Sequence, residues 1–149
     1  MSSDLIFRYT NDITLHAYWI DESAPELTLN VSHDTWTNQE VTLTAAAWDF
    51  GKGLSSVILY RINTDGTLTA VARADNLNGA QIKELSYANT EEGIIRYKAV
   101  ATDMNGNTLE SYNTVYYDIT APSGTVIVKE TEDGRLYFEI DITDINNGN

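Results

Sequence analysis

Hydrophobic and polar positions alternate with a period of two along most of the chain. In the clearest example Val41, Leu43, Ala45 and Ala47 are separated by Thr42, Thr44 and Ala46, and the run ends at the turn-forming segment 49–53, DFGKG. Such alternation is typical of a β-strand with one buried face, and clustered Asp and Gly residues are typical of a turn. The pattern therefore predicts β-structure with a one-sided core.

The same alternation predicts about seven short strands in roughly 95 residues, and no segment shows the periodicity of a helix. Two turns are especially clear: Asn63–Gly66 is typical of a β-hairpin, and Asp103–Asn107 closes a later pair of strands. The predicted fold class is all-β, an immunoglobulin-like sandwich of antiparallel strands. The predicted strands are Leu27–Val31, Val41–Ala47, Ser56–Ile62, Thr67–Arg73, Gln81–Tyr87, Ile94–Thr102 and Leu109–Tyr117.

A short motif recurs at the two ends of this region. Asp21–Pro25 and Asp118–Pro122 both read Asp-x-Ser/Thr-Ala-Pro and lie 97 residues apart. After the second copy, Leu136, Phe138, Ile140 and Ile142 repeat the alternation of Val41 to Ala47 at an offset of 95. An internal repeat of this kind predicts tandem modules. The second is expected to supply two strands, which would pack on the first module, pair with another chain, or stay poorly ordered.

Composition narrows the function classes. The chain has 149 residues, with 22 acidic and 9 basic side chains and a net charge of −13. We therefore expect no nucleic-acid partner and no insertion into anionic membranes. The absence of cysteine excludes disulfides and thiolate chemistry and favours a bacterial surface protein. The first residues lack the features of a signal peptide, which favours an internal piece of a longer chain whose signal and anchor lie elsewhere.

Several motifs together resemble bacterial immunoglobulin-like repeats, which occur in tandem in large secreted or wall-anchored proteins. They are the two Asp-x-Ser/Thr-Ala-Pro segments, Trp36–Asn38, Val41–Thr44, the Asp-x-Gly-x-Gly turn at 49–53 and the segment Tyr97–Asn107. The segment Asp12–Trp19 resembles the last strand of an internalin-type B-repeat. The expected division is residues 1–20 as the end of a preceding module, 21–121 as a complete sandwich, and 122–149 as the first two strands of another.

The acidic turns predict a calcium site. In an immunoglobulin-like sandwich the turn after the second strand, the turn before the last strand and the entering linker lie at one end. We therefore expect Asp21, Glu22, Asp49, Asp103 and Asn105 to converge there and offer the oxygen ligands that calcium prefers. The turn Asp103–Asn107 is similar to the calcium turn of cadherin-type modules. Asp118 is expected to meet Asp144 and Asn146 in the same way. The alternative is that these residues simply close tight turns.

Aromatic residues suggest a second kind of site. Trp36 and Tyr112 are candidates for stacking on sugar rings, because aromatic faces bind apolar CH groups. Tyr116 and Tyr117 are neighbours in a predicted strand, so at most one of them joins a given platform. Tyr97 is expected to hold a tyrosine corner, its hydroxyl bonding back to the preceding strands, with a ligand-facing role as the alternative. Glu91 and Glu92 are expected to be solvated loop charges.

No catalytic residue is predicted. His16 and His33 are isolated, and the sequence carries no nucleophile, nucleotide or zinc motif. The expected function is that of a non-catalytic spacer or adhesion module in a secreted or cell-surface bacterial protein. Its partners would be neighbouring modules and a host or cell-surface protein or glycan, and calcium is the one cofactor considered. The alternative is a carbohydrate-binding accessory domain of a secreted glycan-active enzyme.

Overall fold

The computed structural model describes residues 22–144 together with residues 14, 16 and 17, and this part of the chain is entirely β-structure and irregular connections. No helix in these residues could cross a membrane. The predicted strand Asp12–Trp19 lies outside the described residues, apart from the three isolated positions. The residues after 144 also lie outside them. The strands are β1 (Glu26–Val31), β2 (Val41–Trp48), β3 (Leu54–Ile62), β4 (Leu68–Ala74), β5 (Ile82–Asn89), β6 (Gly93–Asp103), β7 (Thr108–Tyr117), β8 (Ser123–Glu130) and β9 (Leu136–Thr143).

The first seven strands form a two-layer sandwich. One sheet has the order β1-β2-β5 and the other β4-β3-β6-β7, and all ladders within them are antiparallel. The prediction of an immunoglobulin-like sandwich is confirmed. The predicted strand limits differ from the observed ones by only one or two residues, because Gly, Asp and Asn mark the turns on both sides of each strand.

The core lies between the two sheets and is formed by the inward positions of the alternating strands. Val41, Leu43, Ala45 and Ala47 of β2 are fully buried, as the alternation predicts. The opposing sheet contributes Tyr97, Ala99 and Ala101 from β6, which are also fully buried. Alanines on both sheets let the layers approach closely, while each buried Leu or Val contributes about 1.5–3 kcal/mol to folding.

Tyr97 forms a corner at one end of this core. Its hydroxyl donates a hydrogen bond to Oδ1 of Asn89 at 2.7 Å, and the Asn89 amide donates to the carbonyl of Glu91 at 2.8 Å. Burial is the largest cause that raises the pKa of Tyr97, and the nearby Tyr87 and Glu91 raise it further, so the phenol stays neutral. Tyr97 is fully buried and points into the sandwich, which confirms its structural role.

The turn between β2 and β3 packs closely on the connection between β4 and β5. Gly53 has a φ of 83°, and a Cβ there would lie 2.2 Å from the carbonyl oxygen of Gly79. Only glycine fits this backbone conformation and this approach. The Asp-x-Gly-x-Gly motif therefore ends in a glycine because two loops meet at that point.

Strands β8 and β9 form a separate antiparallel hairpin after the sandwich. Its register is the same as that of β1 and β2: the pair Leu29↔Ala45 corresponds to Val126↔Ile140 at offsets of 97 and 95. The strand predicted over Leu136–Ile142 is confirmed. Every residue of both strands is exposed, whereas the inward positions of β1 and β2, such as Leu29, Leu43 and Ala45, are buried.

Candidate functional site: the two acidic junctions and an aromatic edge

Three chain segments meet at the end of the sandwich where the chain enters, which we call the entry junction. The N–H of Met104, in the turn between β6 and β7, donates to the carbonyl of Gly53 at 2.9 Å. The Asn107 amide of the same turn donates to the carbonyl of Ser23 at 3.2 Å. The linker and the β2–β3 turn therefore each contact the β6–β7 turn.

Asp103 organises its own turn at the entry junction. Its Oδ1 accepts the N–H groups of Asn105 and Asn107, both at 2.8 Å, and its Oδ2 accepts the Asn107 amide at 2.7 Å. Burial alone would raise the pKa of the Asp103 carboxyl. Hydrogen bonds from Asn107, Asn105 and Gly106 outweigh this effect, so the pKa lies below its usual value.

Asp49 directly follows β2, and only one of its two carboxylate oxygens accepts a hydrogen bond. The residue is 8% exposed, and its Oδ1 accepts the N–H of Gly51 at 2.8 Å. Its Oδ2 is buried and has no hydrogen-bond partner. An unpaired buried carboxylate oxygen is costly, and a cation is one group that would compensate it.

The other predicted calcium ligands occupy different surroundings. Glu22 and Asn105 are exposed, and Asp21 lies outside the described residues. Among residues 22–144 and the three isolated positions, no three His, Cys, Asp or Glu side chains are grouped closely enough to hold one metal ion. The calcium assignment at the entry junction stays a prediction. Asn107, which sequence reasoning did not select, makes the contacts that tie the turn to the linker.

The opposite end of the sandwich, which we call the exit junction, fixes the chain as it leaves β7. The N–H of Asp118 donates to the carbonyl of Thr37 at 3.1 Å. Glu92 accepts two hydrogen bonds from the linker: the N–H of Ile119 at 3.0 Å and the hydroxyl of Thr120 at 2.7 Å. The linker is therefore attached to the turn between β5 and β6.

The expectation that Glu91 and Glu92 are solvated loop charges is wrong. Glu92 holds the exit linker, and Glu91 pairs with Arg61 at 2.5 Å. Sequence reasoning missed both roles because their partners come from distant parts of the chain. Asp144 lines one cleft with Trp36, Asn38 and Asp118, as expected for Asp118 and Asp144, while Asn146 lies outside the described residues.

Aromatic residues gather along the edge of the larger sheet beside the exit junction. Trp36 and Tyr116 contact edge to face, with ring centroids 5.7 Å apart and planes at 60°. Tyr116 also lines a hollow with Tyr112, Arg96 and Asp34. The two predicted aromatic candidates therefore lie on either side of Tyr116.

The two sides of β7 are not equally open to solvent. Tyr117 packs against the core, which confirms that only one of the neighbouring tyrosines joins the aromatic edge. The Lys98 ammonium lies 5.7 Å from the Tyr112 ring centroid, and the Tyr112 hydroxyl donates to Glu110 at 2.6 Å. One face of Tyr112 is therefore already occupied by a cation.

Comparisons with known proteins give structural likeness only. No protein-family model and no curated protein matches the sequence. Among solved structures, a CARDB domain from Pyrococcus furiosus, crystallised in complex with di-metal ions, is 16% identical, with a TM-score of 0.44 over 62% of this chain and 91% of that one. A tetra-tandem repeat from the extending region of a large adhesion protein is 17% identical, with a TM-score of 0.46 over 83% of this chain. The match spans 39% of that structure.

We predict that Asp103→Asn destabilises the sandwich by about 1–3 kcal/mol at neutral pH, because a buried acceptor of several N–H groups is weakened. The carboxyl pKa is lower in the folded state, so its stabilising effect is present above the unfolded value and is lost as the pH falls through the folded value. Urea unfolding between pH 7 and pH 2 measures both effects. Asp65→Asn, in the exposed β3–β4 turn, is the control and should cost much less. Equal losses in the two variants would contradict the role given to Asp103.

Proposed function

We propose that this chain is a non-catalytic spacer or adhesion module of a large secreted or cell-surface bacterial protein. The observation that carries the proposal is the position of its two linkers. The incoming linker contacts Asn107 at one end of the sandwich, and the outgoing linker contacts Glu92 at the other. A module with this geometry extends a chain of modules lengthwise.

The buried polar groups support a structural role. Asp49, Asn89 and Asp103 are the buried polar or charged side chains of the described residues. Each of them makes a hydrogen bond to the backbone of its own turn. Turn closure therefore accounts for the burial of Asn89, Asp103 and Oδ1 of Asp49. It does not account for the burial of Oδ2 of Asp49.

The net charge and the repeated strand register favour a place in a surface protein. A net charge of −13 keeps the sides of such a module hydrated and mutually repelling. The repeated register of β1–β2 and β8–β9 supports the assignment of residues 122–149 to a second repeat. On this proposal the neighbouring modules of the same chain are the first partners.

We predict that the two linkers are held at a fixed separation. Because the chain has no cysteine, Ala24→Cys with Ala121→Cys gives two unique positions for spin labels. The eleven residues of β6 span about 35 Å, so pulsed paramagnetic resonance should give a narrow distance distribution centred at or somewhat above that value. Labels at Ala24 and Asp65, the latter in an exposed turn, serve as a control pair. A broad distribution for the linker pair alone would contradict a stiff spacer.

Calcium is proposed as the cation that stiffens the junctions. At the entry junction the support is the unpaired Oδ2 of Asp49, in the turn whose Gly53 accepts the N–H of Met104. At the exit junction it is the cleft shared by Asp118 and Asp144. Carboxylate and carbonyl oxygens are suitable calcium ligands. The ion would then link each turn to the adjoining linker.

We predict a higher melting temperature in millimolar calcium than in chelator. A calcium concentration a thousandfold above the dissociation constant adds about 4 kcal/mol of stability. In a protein of this size that corresponds to a shift on the order of 10 °C. Asp49→Asn should reduce the calcium-dependent shift, whereas Asp65→Asn should leave it unchanged. If calcium and chelator give the same melting curve, the calcium proposal is wrong and the spacer proposal stands on the linker distances.

The aromatic edge supports a second candidate function, a carbohydrate-binding accessory domain. The specific observation is that Trp36, Tyr116 and Tyr112 line adjoining hollows, with Asp34 and Arg96 as polar neighbours. Aromatic faces would stack on sugar CH groups while the charged side chains bond hydroxyls. This function requires that the edge remain accessible beside the exit junction.

For this candidate we predict binding on a glycan array that is lost in Trp36→Ala and weakened at least tenfold in Tyr112→Ala. Phe50→Ala is the control, because Phe50 is 66% exposed but lies in the turn after β2, away from the edge. Retention of binding in Trp36→Ala would exclude the edge as the sugar site. An array with no binding by the unsubstituted chain would leave the spacer function alone.

A further inference from the structure

The two outward sides of the sandwich differ in character. The outward side of β1-β2-β5 is rich in hydroxyl groups, and its charged side chains are Glu26 and Glu84. The outward side of β4-β3-β6-β7, which we call the lateral face, runs along the side of the module between the two junctions. It is apolar at its centre and carries three of the nine basic residues of the chain. The central residues are Ile58, Tyr60 and Val100, and the basic ones are Arg73, Arg96 and Lys98.

Two of the three cations on the lateral face are neutralised by a carboxylate. Lys98 pairs with Glu110 at 2.6 Å, and Arg73 pairs with Asp75 at 2.6 Å. Arg96 is exposed and has neither an ion pair nor a hydrogen bond with any of the described residues. In a chain with more than twice as many acidic as basic side chains, Arg96 is therefore unusual in lacking a carboxylate partner.

The surroundings of Arg96 are aromatic and uncharged within the sheet. The ladders place it between Ile62 of β3 and Thr114 of β7. It lines one hollow with Tyr112 and Tyr116, which are four residues apart on β7 and whose backbones are therefore about 13 Å apart. Because Thr114 lies midway between these tyrosines, Arg96 is opposite the middle of the aromatic pair.

The carboxylates that share a hollow with Arg96 do not neutralise it. Arg96 also lines a second hollow with Glu91 and Glu92, but Glu91 pairs with Arg61 and Glu92 holds the exit linker. In the first hollow Asp34 is exposed and forms no ion pair with Arg96. An anion supplied by a ligand would therefore give this guanidinium the partner that the module does not provide.

We propose that the ligand of the aromatic edge is an acidic polysaccharide, whose uronic carboxylate pairs with Arg96. Its sugar rings stack on Tyr116 and on the face of Tyr112 that Lys98 leaves open. This inference rests on the carbohydrate-binding function proposed above and names its substrate class. A guanidinium matches the two oxygens of a carboxylate. The net charge of −13 repels polyanions in general, so binding has to come from this local arrangement and not from long-range attraction.

A set of polymers separates the contribution of charge from that of the sugar ring. Polygalacturonate, alginate and hyaluronate carry carboxylates on sugar rings, methyl-esterified polygalacturonate removes the charge, and polyglutamate removes the rings. Calorimetric titration is performed in chelator, so that calcium cannot bridge two carboxylates. We expect at least one of the three acidic polysaccharides to bind about tenfold or more tightly than the ester and polyglutamate, because only the acidic polysaccharides offer both contacts.

Three substitutions at exposed positions test the role of Arg96. Arg96→Gln should weaken binding of that polysaccharide by about tenfold or more. Arg73→Gln makes the same change of charge on the same face, but should leave binding unchanged because Arg73 already pairs with Asp75. Asp34→Asn should strengthen binding about two- to fivefold, because it removes a like charge from the hollow. Equal melting temperatures of the variants show that each remains folded.

Several results would overturn the acidic ligand. They are equal losses in Arg96→Gln and Arg73→Gln, binding to polyglutamate as tight as to the polysaccharides, and tighter binding to dextran sulfate, which would assign a sulfated glycan. Binding confined to neutral glycans would also overturn it, but would leave the carbohydrate function in place. If no glycan of either kind binds, the carbohydrate function fails as well, and the spacer function is tested separately by the linker distances.

Discussion

Burial of every second strand residue between two sheets is the constraint on which this molecule depends. The inner positions of β2 are small or medium-sized and fully buried, and Ala99 and Ala101 of β6 are fully buried opposite them, which brings the layers close together. With the layers fixed, the turns at each end are forced to meet. The contact between Met104 and Gly53 and the attachment of Asp118 to Thr37 follow from that packing. The junctions are therefore properties of the whole sandwich, although their residues lie in loops.

Much of this could be predicted from the sequence, for an identifiable reason. A period of two and clustered turn residues are local signals, so the strands, the sandwich and the alternating run Leu136–Ile142 could be identified without coordinates. The position of the linker and of the β2–β3 turn at the same end as the β6–β7 turn followed from fold geometry. Tyr97 was also identified, because its place near the start of a late strand is typical of a corner.

The roles that escaped prediction depend on which distant segments meet. Glu92 was assigned to solvent because its neighbours in sequence are polar, yet its hydrogen-bond partners come from the linker after β7. Asn89 and Asn107 resemble ordinary turn residues, and only the folded arrangement gives one a buried tyrosine and the other the incoming linker. In the same way, the alternation in β8 and β9 predicts an apolar side of the hairpin. It does not specify whether another segment covers that side.

The contact between β1 and β7 has a mechanical consequence. The Asn113 amide of β7 donates to the Leu29 carbonyl of β1 at 2.9 Å, and the isolated bridge between Thr37 and Tyr117 just beyond is parallel. The first strand thus enters at one end of the sandwich beside the last strand, which leaves at the other. Tension applied between the ends would slide these two strands along each other and load their contacts simultaneously. A fold loaded in this way resists extension until many contacts fail together, whereas one peeled from an edge yields one contact at a time.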